Sequence, residues 1–247
     1  MSHLDELLAQ PQAGGLAGAT LEEQLDYCAA QGWTDGLPVM PPTRERVQAM
    51  LERCERPVDA CIAKLPPRYG ELTPVRLAAN AVMAGCAPEH FPLLMLALEA
   101  MSEPQFNLYA VQTTTHCVAP LLLVNGPVAR ELGIDSGHRA FGPGVRVNAC
   151  IGRAIRLALI NVGGAIPGVG DMATYGSPAK FSFCIAENEA ASPWEPLHVS
   201  RGFASDTSAV SVFACEAPHN VSDHASHTGK GILTTIAGTL AKIGRAT

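Results

Sequence analysis

Ten consecutive residues, Thr34 to Thr43, read Thr-Asp-Gly-Leu-Pro-Val-Met-Pro-Pro-Thr and hold three prolines and a glycine. Proline fixes φ at about −65°, lacks an amide hydrogen, and pushes the residue before it towards extended backbone. A helix is excluded here, and an ordered, extended loop is required. The same punctuation recurs along a chain with 23 Gly and 19 Pro. Its distinctive residues therefore fall in loops between short regular elements.

Those elements follow from caps and periodicity. Thr20 followed by Glu23 is a capping-box pattern, which predicts a helix over 21–31 that Gly32 stops. Thr43 caps a helix to Arg53. Thr73-Pro74 places a cap before a proline at the first helical position, so a helix runs to Ala84. Gly85-Cys86-Ala87 breaks it, and Pro88 starts another through Phe91, Leu94, Leu98 and Met101. Asn107–Thr114 and Val118–Val124 read as strands. Asn125-Gly126-Pro127 turns into a short helix ending at Gly133. A longer helix over 145–162 carries Ile151, Ile155, Leu159 and Val162 on one stripe. Lys180–Ala186 and Ser208–Cys215 are further strands, and residues 225–243 form a last helix. Strands do not alternate regularly with helices, which predicts an α+β fold: a mixed sheet of about four or more strands covered by helices. Residues 1–19, without periodicity, are expected to be a flexible arm, and 20–247 one α+β domain.

Composition narrows the function classes. The net charge is −6 with no run of Lys or Arg, which excludes a nucleic-acid partner, since such partners need basic patches. No apolar run reaches the ~20 residues of a membrane span. The start, MSHLDELLAQ, has no basic region ahead of an apolar one. The expectation is a cytoplasmic protein whose 8 cysteines are reduced thiols. Charged residues make up 16% of the chain against an ordinary ~25%. This low density implies a covered surface, and so a homo-oligomer or a partner subunit.

Four loop segments hold most of the reactive side chains. Cys86-Ala-Pro-Glu89-His90 sits at a helix start, where the dipole favours a thiolate on Cys86 and a charge on Glu89. Burial of an inert Cys is the competing reading. His116, after three threonines at a strand end, suits a base or a metal ligand. Glu187-Asn-Glu189 through Trp194, His198 and Arg201 to Phe203 groups carboxylates, an imidazole and a guanidinium. Such a set suits a metal or an acid/base pair, with Arg201 placed to fork onto a substrate carboxylate. Trp194 and two prolines argue for order there. Asp35 and Arg153 are further substrate-binding candidates. The fourth segment sets His219, Asp223, His224 and His227 within nine residues. The ligand types fit a divalent transition metal, but the spacing matches no standard finger or zincin, and Asp223 also suits a helix cap. The Gly163-to-Asp171 stretch is neither a Walker loop nor a dinucleotide fingerprint and reads first as a helix end with turns. There is no GxSxG, CxxC or HExxH.

The motifs TDGLPV-x-PPT (Thr34–Thr43), NAVMAGC-x-PE (Asn80–Glu89), FGPG with its IGR helix (Phe141–Arg153), NVGGA-x-PG-x-GDMA (Asn161–Ala173) and ENE…SPWEPLHV-x-RGF (Glu187–Phe203) resemble a bacterial family associated with UGSC (selenocysteine-Gly-Ser-Cys) proteins. The resemblance covers roughly residues 20–240. It implies that these loops serve one shared site. The UGSC motif itself is absent. The resemblance also implies relatives that extend past the last helix, which would make this chain one subunit of a split protein.

Three functions stay open. One is an enzyme on a small polar, carboxylated or sulfur-bearing molecule, with Cys86, Glu89, His116, Glu187 and Glu189 catalytic. It would be an oxidoreductase or a lyase. The second is a metal-dependent lyase or hydrolase centred on His219–His227. The third is a non-catalytic subunit of a split enzyme.

Overall fold

The computed structural model describes residues 18–241; most of the arm expected over 1–19 lies outside them. Helix α1 (Leu21–Ala30) starts on the capping box at Thr20 and Glu23. Helix α2 (Arg44–Leu51) follows the proline-rich loop. A hairpin of β1 (Ala63–Leu65) and β2 (Gly70–Leu72) comes next. Helix α3 (Pro74–Ala84) is capped by the Thr73 side chain and ends at Gly85 in the left-handed region. Helix α4 (Phe91–Ser102) carries Phe91, Leu94, Leu98 and Met101, all buried.

The expectation of a strand over 107–114 is not met. Asn107 adopts φ 51°, its side chain accepts from the Ala110 amide, and α5 (Leu108–Thr113) follows. Asn is one of the few residues that tolerates this backbone, and as a helix cap it outweighs the β-propensity of the threonines. Strand β3 (Ala119–Asn125) then leads through α6 (Pro127–Glu131) to α7 (Arg146–Asn161). The strand expected over 180–186 shortens to β4 (Cys184–Ala186), because Pro178 opens a 3-10 turn over 178–180. The chain closes with α8 (Leu197–Ser200), β5 (Ala209–Cys215) and α9 (Gly229–Leu240).

The fold is a mixture of helices and strands. Its main sheet has three strands in the order β4-β3-β5, with β3 parallel to β4 and antiparallel to β5. Among the described residues the other two strands form the separate hairpin, so the expected sheet of about four or more strands is corrected to three. Leu122 and Val124 of β3 face the main core, while Leu121 packs on the other side with Phe183, the period-two alternation of a strand. Helix α7 packs on α3 and over β4. It comes very close at Gly152, where a Cβ would stand 2.5 Å from the Phe183 amide nitrogen; only glycine fits. No helix among the described residues is long and apolar enough to cross a membrane.

Candidate functional site

The register of β3 against β5 decides which loops meet. The two seven-residue strands pair from Ala119↔Cys215 to Asn125↔Ala209. The residues before β3, His116 and Cys117, therefore meet the residue after β5, Glu216. The residues after β3 meet those before β5. Seven strand residues span about 20 Å, so the reactive loops divide between two ends of one strand and do not converge on one pocket.

At the first end, His116 Nε2 lies 2.6 Å from Glu216 Oε1, and His219 Nε2 lies 2.9 Å from Glu216 Oε2. Cys117 is buried beside them. Among the described residues, His116, Cys117 and Glu216 offer ligand atoms that all lie within 4.8 Å of one another. A tetrahedral ion with bonds of about 2.0–2.3 Å needs its ligand atoms roughly 3.3–3.7 Å apart.

Tyr175 links this cluster to a cleft. Its hydroxyl is 3.3 Å from Cys117 Sγ, and that contact pushes the phenol pKa up. Thr174 holds the loop in place by donating from its amide and its hydroxyl to Thr115 O, at 2.9 and 3.2 Å. Tyr175 lines an open cleft of about 810 Å³ together with Thr34, Asp35, Arg156, Asp171 and Lys180. Arg156 Nη2 and Lys180 Nζ both reach Asp171 Oδ2, at 2.6 and 2.8 Å, and the Ala173 amide donates to Oδ1 at 3.1 Å. Burial of Asp171 works against its charge, but Lys180, the Ala173 amide and Arg156 outweigh it and hold the carboxyl below the usual range.

Asp35 and Arg153 form a two-pronged pair, Nε to Oδ2 at 2.8 Å and Nη2 to Oδ1 at 2.7 Å. Arg153 Nη2 also donates to Leu37 O and Pro38 O. The pair ties the proline-rich loop to α7. Arg153 is thus a positioning residue whose Nε and Nη2 are engaged, while Asp35 and its neighbours wall the cleft. Burial opposes the charge of Asp35, but Arg153 prevails and lowers its pKa.

At the far end of β3, the Asn125 side-chain nitrogen donates to Glu187 Oε2 at 2.6 Å and to Glu189 Oε1 at 2.9 Å. Glu187 also accepts from the Leu197 amide, and Glu189 from the Gly126 amide. Burial opposes the charge of Glu189, but the Gly126 and Asn125 bonds hold its pKa down. Both carboxylates thus order the loop. His198 is buried 3.9 Å from Glu189, and neither ring nitrogen has a hydrogen-bond partner.

The remaining candidates lie apart. Cys86 is buried, and its thiol donates to Cys150 O at 3.3 Å. Burial, then the neighbouring Cys150 and Cys184, push its pKa well up, which corrects the expected thiolate: desolvation outweighs the helix dipole. Glu89 is exposed and pairs with Arg53. Trp194 and Arg201 are exposed on the loop before and after α8. Of the expected metal set His219, Asp223, His224 and His227, only His219 joins the cluster. Asp223 accepts from the Ala225 and Ser226 amides and the Thr235 hydroxyl, bonds that keep it ionised well below the usual range. It is a loop cap. His224 Nε2 pairs with Ser222 Oγ, and His227 is exposed. The Gly163 to Asp171 stretch is a helix end: its first amides bond back to Ala158, Ile160 and Leu159 carbonyls.

Sequence reasoning missed Cys117, Glu216, Tyr175, Arg156, Asp171 and Lys180. The signal for the first two was present in the similar lengths of the strands 118–124 and 208–215, since antiparallel pairing of such a set brings 117 and 216 together. No family model matches the chain, and no curated protein or solved structure matches it.

Proposed function

We propose that this chain is a metal-dependent enzyme, a lyase or hydrolase, acting on a small polar molecule bound in the cleft beside Tyr175. The observation that carries this reading is the His116–Cys117–Glu216 group, with ligand atoms within 4.8 Å of one another. One imidazole, one thiolate and one carboxylate suit zinc or another borderline transition ion. Three protein ligands leave a fourth position for water, whose pKa a bound Zn²⁺ lowers to about 7. His219, on the second oxygen of Glu216, fixes that carboxylate in place. Two of the five motifs resembling the UGSC-associated family supply walls of the cleft, Thr34–Gly36 and the Pro167–Ala173 stretch, which supports reading those two as parts of one site. The sequence has no basic run, and no helix among the described residues is long and apolar enough to cross a membrane; both fit the reading of a cytoplasmic enzyme of small molecules.

Elemental analysis of the purified protein tests this directly. The expected result is about one zinc, cobalt, nickel, iron or manganese ion per chain. His116→Ala, Cys117→Ser and Glu216→Gln should each weaken metal binding at least about tenfold, while His224→Ala and His227→Ala should not. If the first three variants bind metal as the parent does, or the parent binds none, the reading fails.

We also infer that the chain self-associates. Helix α9 has no buried side chain, and Leu233 and Leu240 on it are each 65% exposed. Burying such side chains is favourable, and the low charge density of the chain points the same way.

A further inference from the structure

We propose that the cleft binds its ligand by a carboxylate group, with Lys180 and Arg156 as the clamp. This rests on reading the cleft as the substrate site. It names the chemical class of the molecule that enters.

Charge carries the argument. The carboxylates lining the cleft are Asp35 and Asp171. Both oxygens of Asp35 are taken by Arg153, so that pair is neutral. Asp171 is shared by two cations, Arg156 and Lys180, which leaves one positive charge in excess. A chain of net charge −6 that nonetheless concentrates an uncompensated cation in a cleft favours a singly charged anion there. The Lys180 ammonium has three donors, and its hydrogen bond is to Asp171 Oδ2. Two donors remain for a ligand. Asp171 draws Lys180 and Arg156 to one point, so both cations are positioned before anything binds. A guanidinium beside an ammonium suits the two oxygens of a carboxylate.

The surroundings favour a carboxylate with a short carbon skeleton over a bare inorganic ion. Ile160, Pro167, Pro178 and Phe181 give apolar walls, and Thr34 and Tyr175 stand among the polar ones. Tyr175 also touches Cys117, so a molecule anchored by its carboxylate at Lys180 extends its other end past Tyr175 towards the His116–Cys117–Glu216 group.

Calorimetric titration tests the proposal with butyrate, glycolate and succinate, each beside its neutral amide, and with inorganic phosphate as a control, on the full chain. At least one carboxylate should bind at millimolar concentration, and its amide should bind about ten- to a hundredfold more weakly. Lys180→Met should weaken the carboxylate by a similar factor, and Lys180→Arg should restore most of it. Amides binding as well as carboxylates, no carboxylate binding at all, phosphate binding best, or Lys180→Met binding like the parent would each overturn the proposal. Metal content is measured on the same samples. Loss of the ion in His116→Ala with carboxylate binding retained, or the reverse in Lys180→Met, separates the fate of the clamp from that of the metal reading.

Discussion

At the scale of single residues, the Asp35–Arg153 pair ties the proline-rich loop to α7 while Asp35 also lines the cleft. The side chains are 4% and 16% exposed, and removing one member leaves the other charge buried. Asp35→Asn should therefore cost about 3 kcal/mol and lower the melting temperature by roughly 6–12 °C, read by calorimetry. The pH dependence has a definite sign. Asp35 and Asp171 both have depressed folded pKa values, so their stabilisation is present above the unfolded carboxylate pKa of about 3.9 and is lost as pH falls further, through the folded values. The parent should lose stability steadily below pH of about 4. Asp35→Asn should start lower and fall less steeply. A variant with the parent's slope would show that the pair does not govern acid stability.

At the scale of elements, two glycines make a contrast. Gly126, with φ +78°, sits where a Cβ would meet Thr207 O at 2.2 Å; Gly36, with φ +94°, faces open space. Gly36→Ala carries only the left-handed backbone cost, about 1 kcal/mol. Gly126→Ala must also move the Thr207–Ser208 backbone that leads into β5, and should cost at least about 2 kcal/mol more. Urea denaturation of the two variants compares them, and equal costs would mean that the β3–β5 approach is soft. Helices were the legible part of this chain. Caps at Thr20, Thr73 and Gly85 and the Ile151-to-Leu159 stripe are local signals, and those helices form where the caps and stripe place them. The α5 helix was not legible, because Thr113 and its neighbours favour strands and that pattern takes Asn107 as the first strand residue, not as a helix cap. The site was half legible. His116 and His219 stand out by type, but Glu216 joins them only through pairing across the sheet, and Asp171 meets Lys180 only after a turn that spacing does not describe.

At the scale of the molecule, the three-stranded sheet leaves β5 on an edge with Phe213 exposed, and α9 beyond it has no buried side chain. Light scattering on the purified chain should give a mass above one copy, and Leu233→Glu with Leu240→Glu should shift it towards the monomer; a clean monomer for the parent would end that reading. The β3–β5 register has a last consequence. Cys117 and Glu216 are 99 residues apart in the sequence, and a two-residue slip would carry Glu216 about 6.6 Å along β3. An ion gripping both would act as a staple across a very long loop, taking closure entropy from the unfolded chain much as a disulfide does. The same three side chains would then serve both reaction and folding, and chelation would unzip an edge strand as well as silence a site.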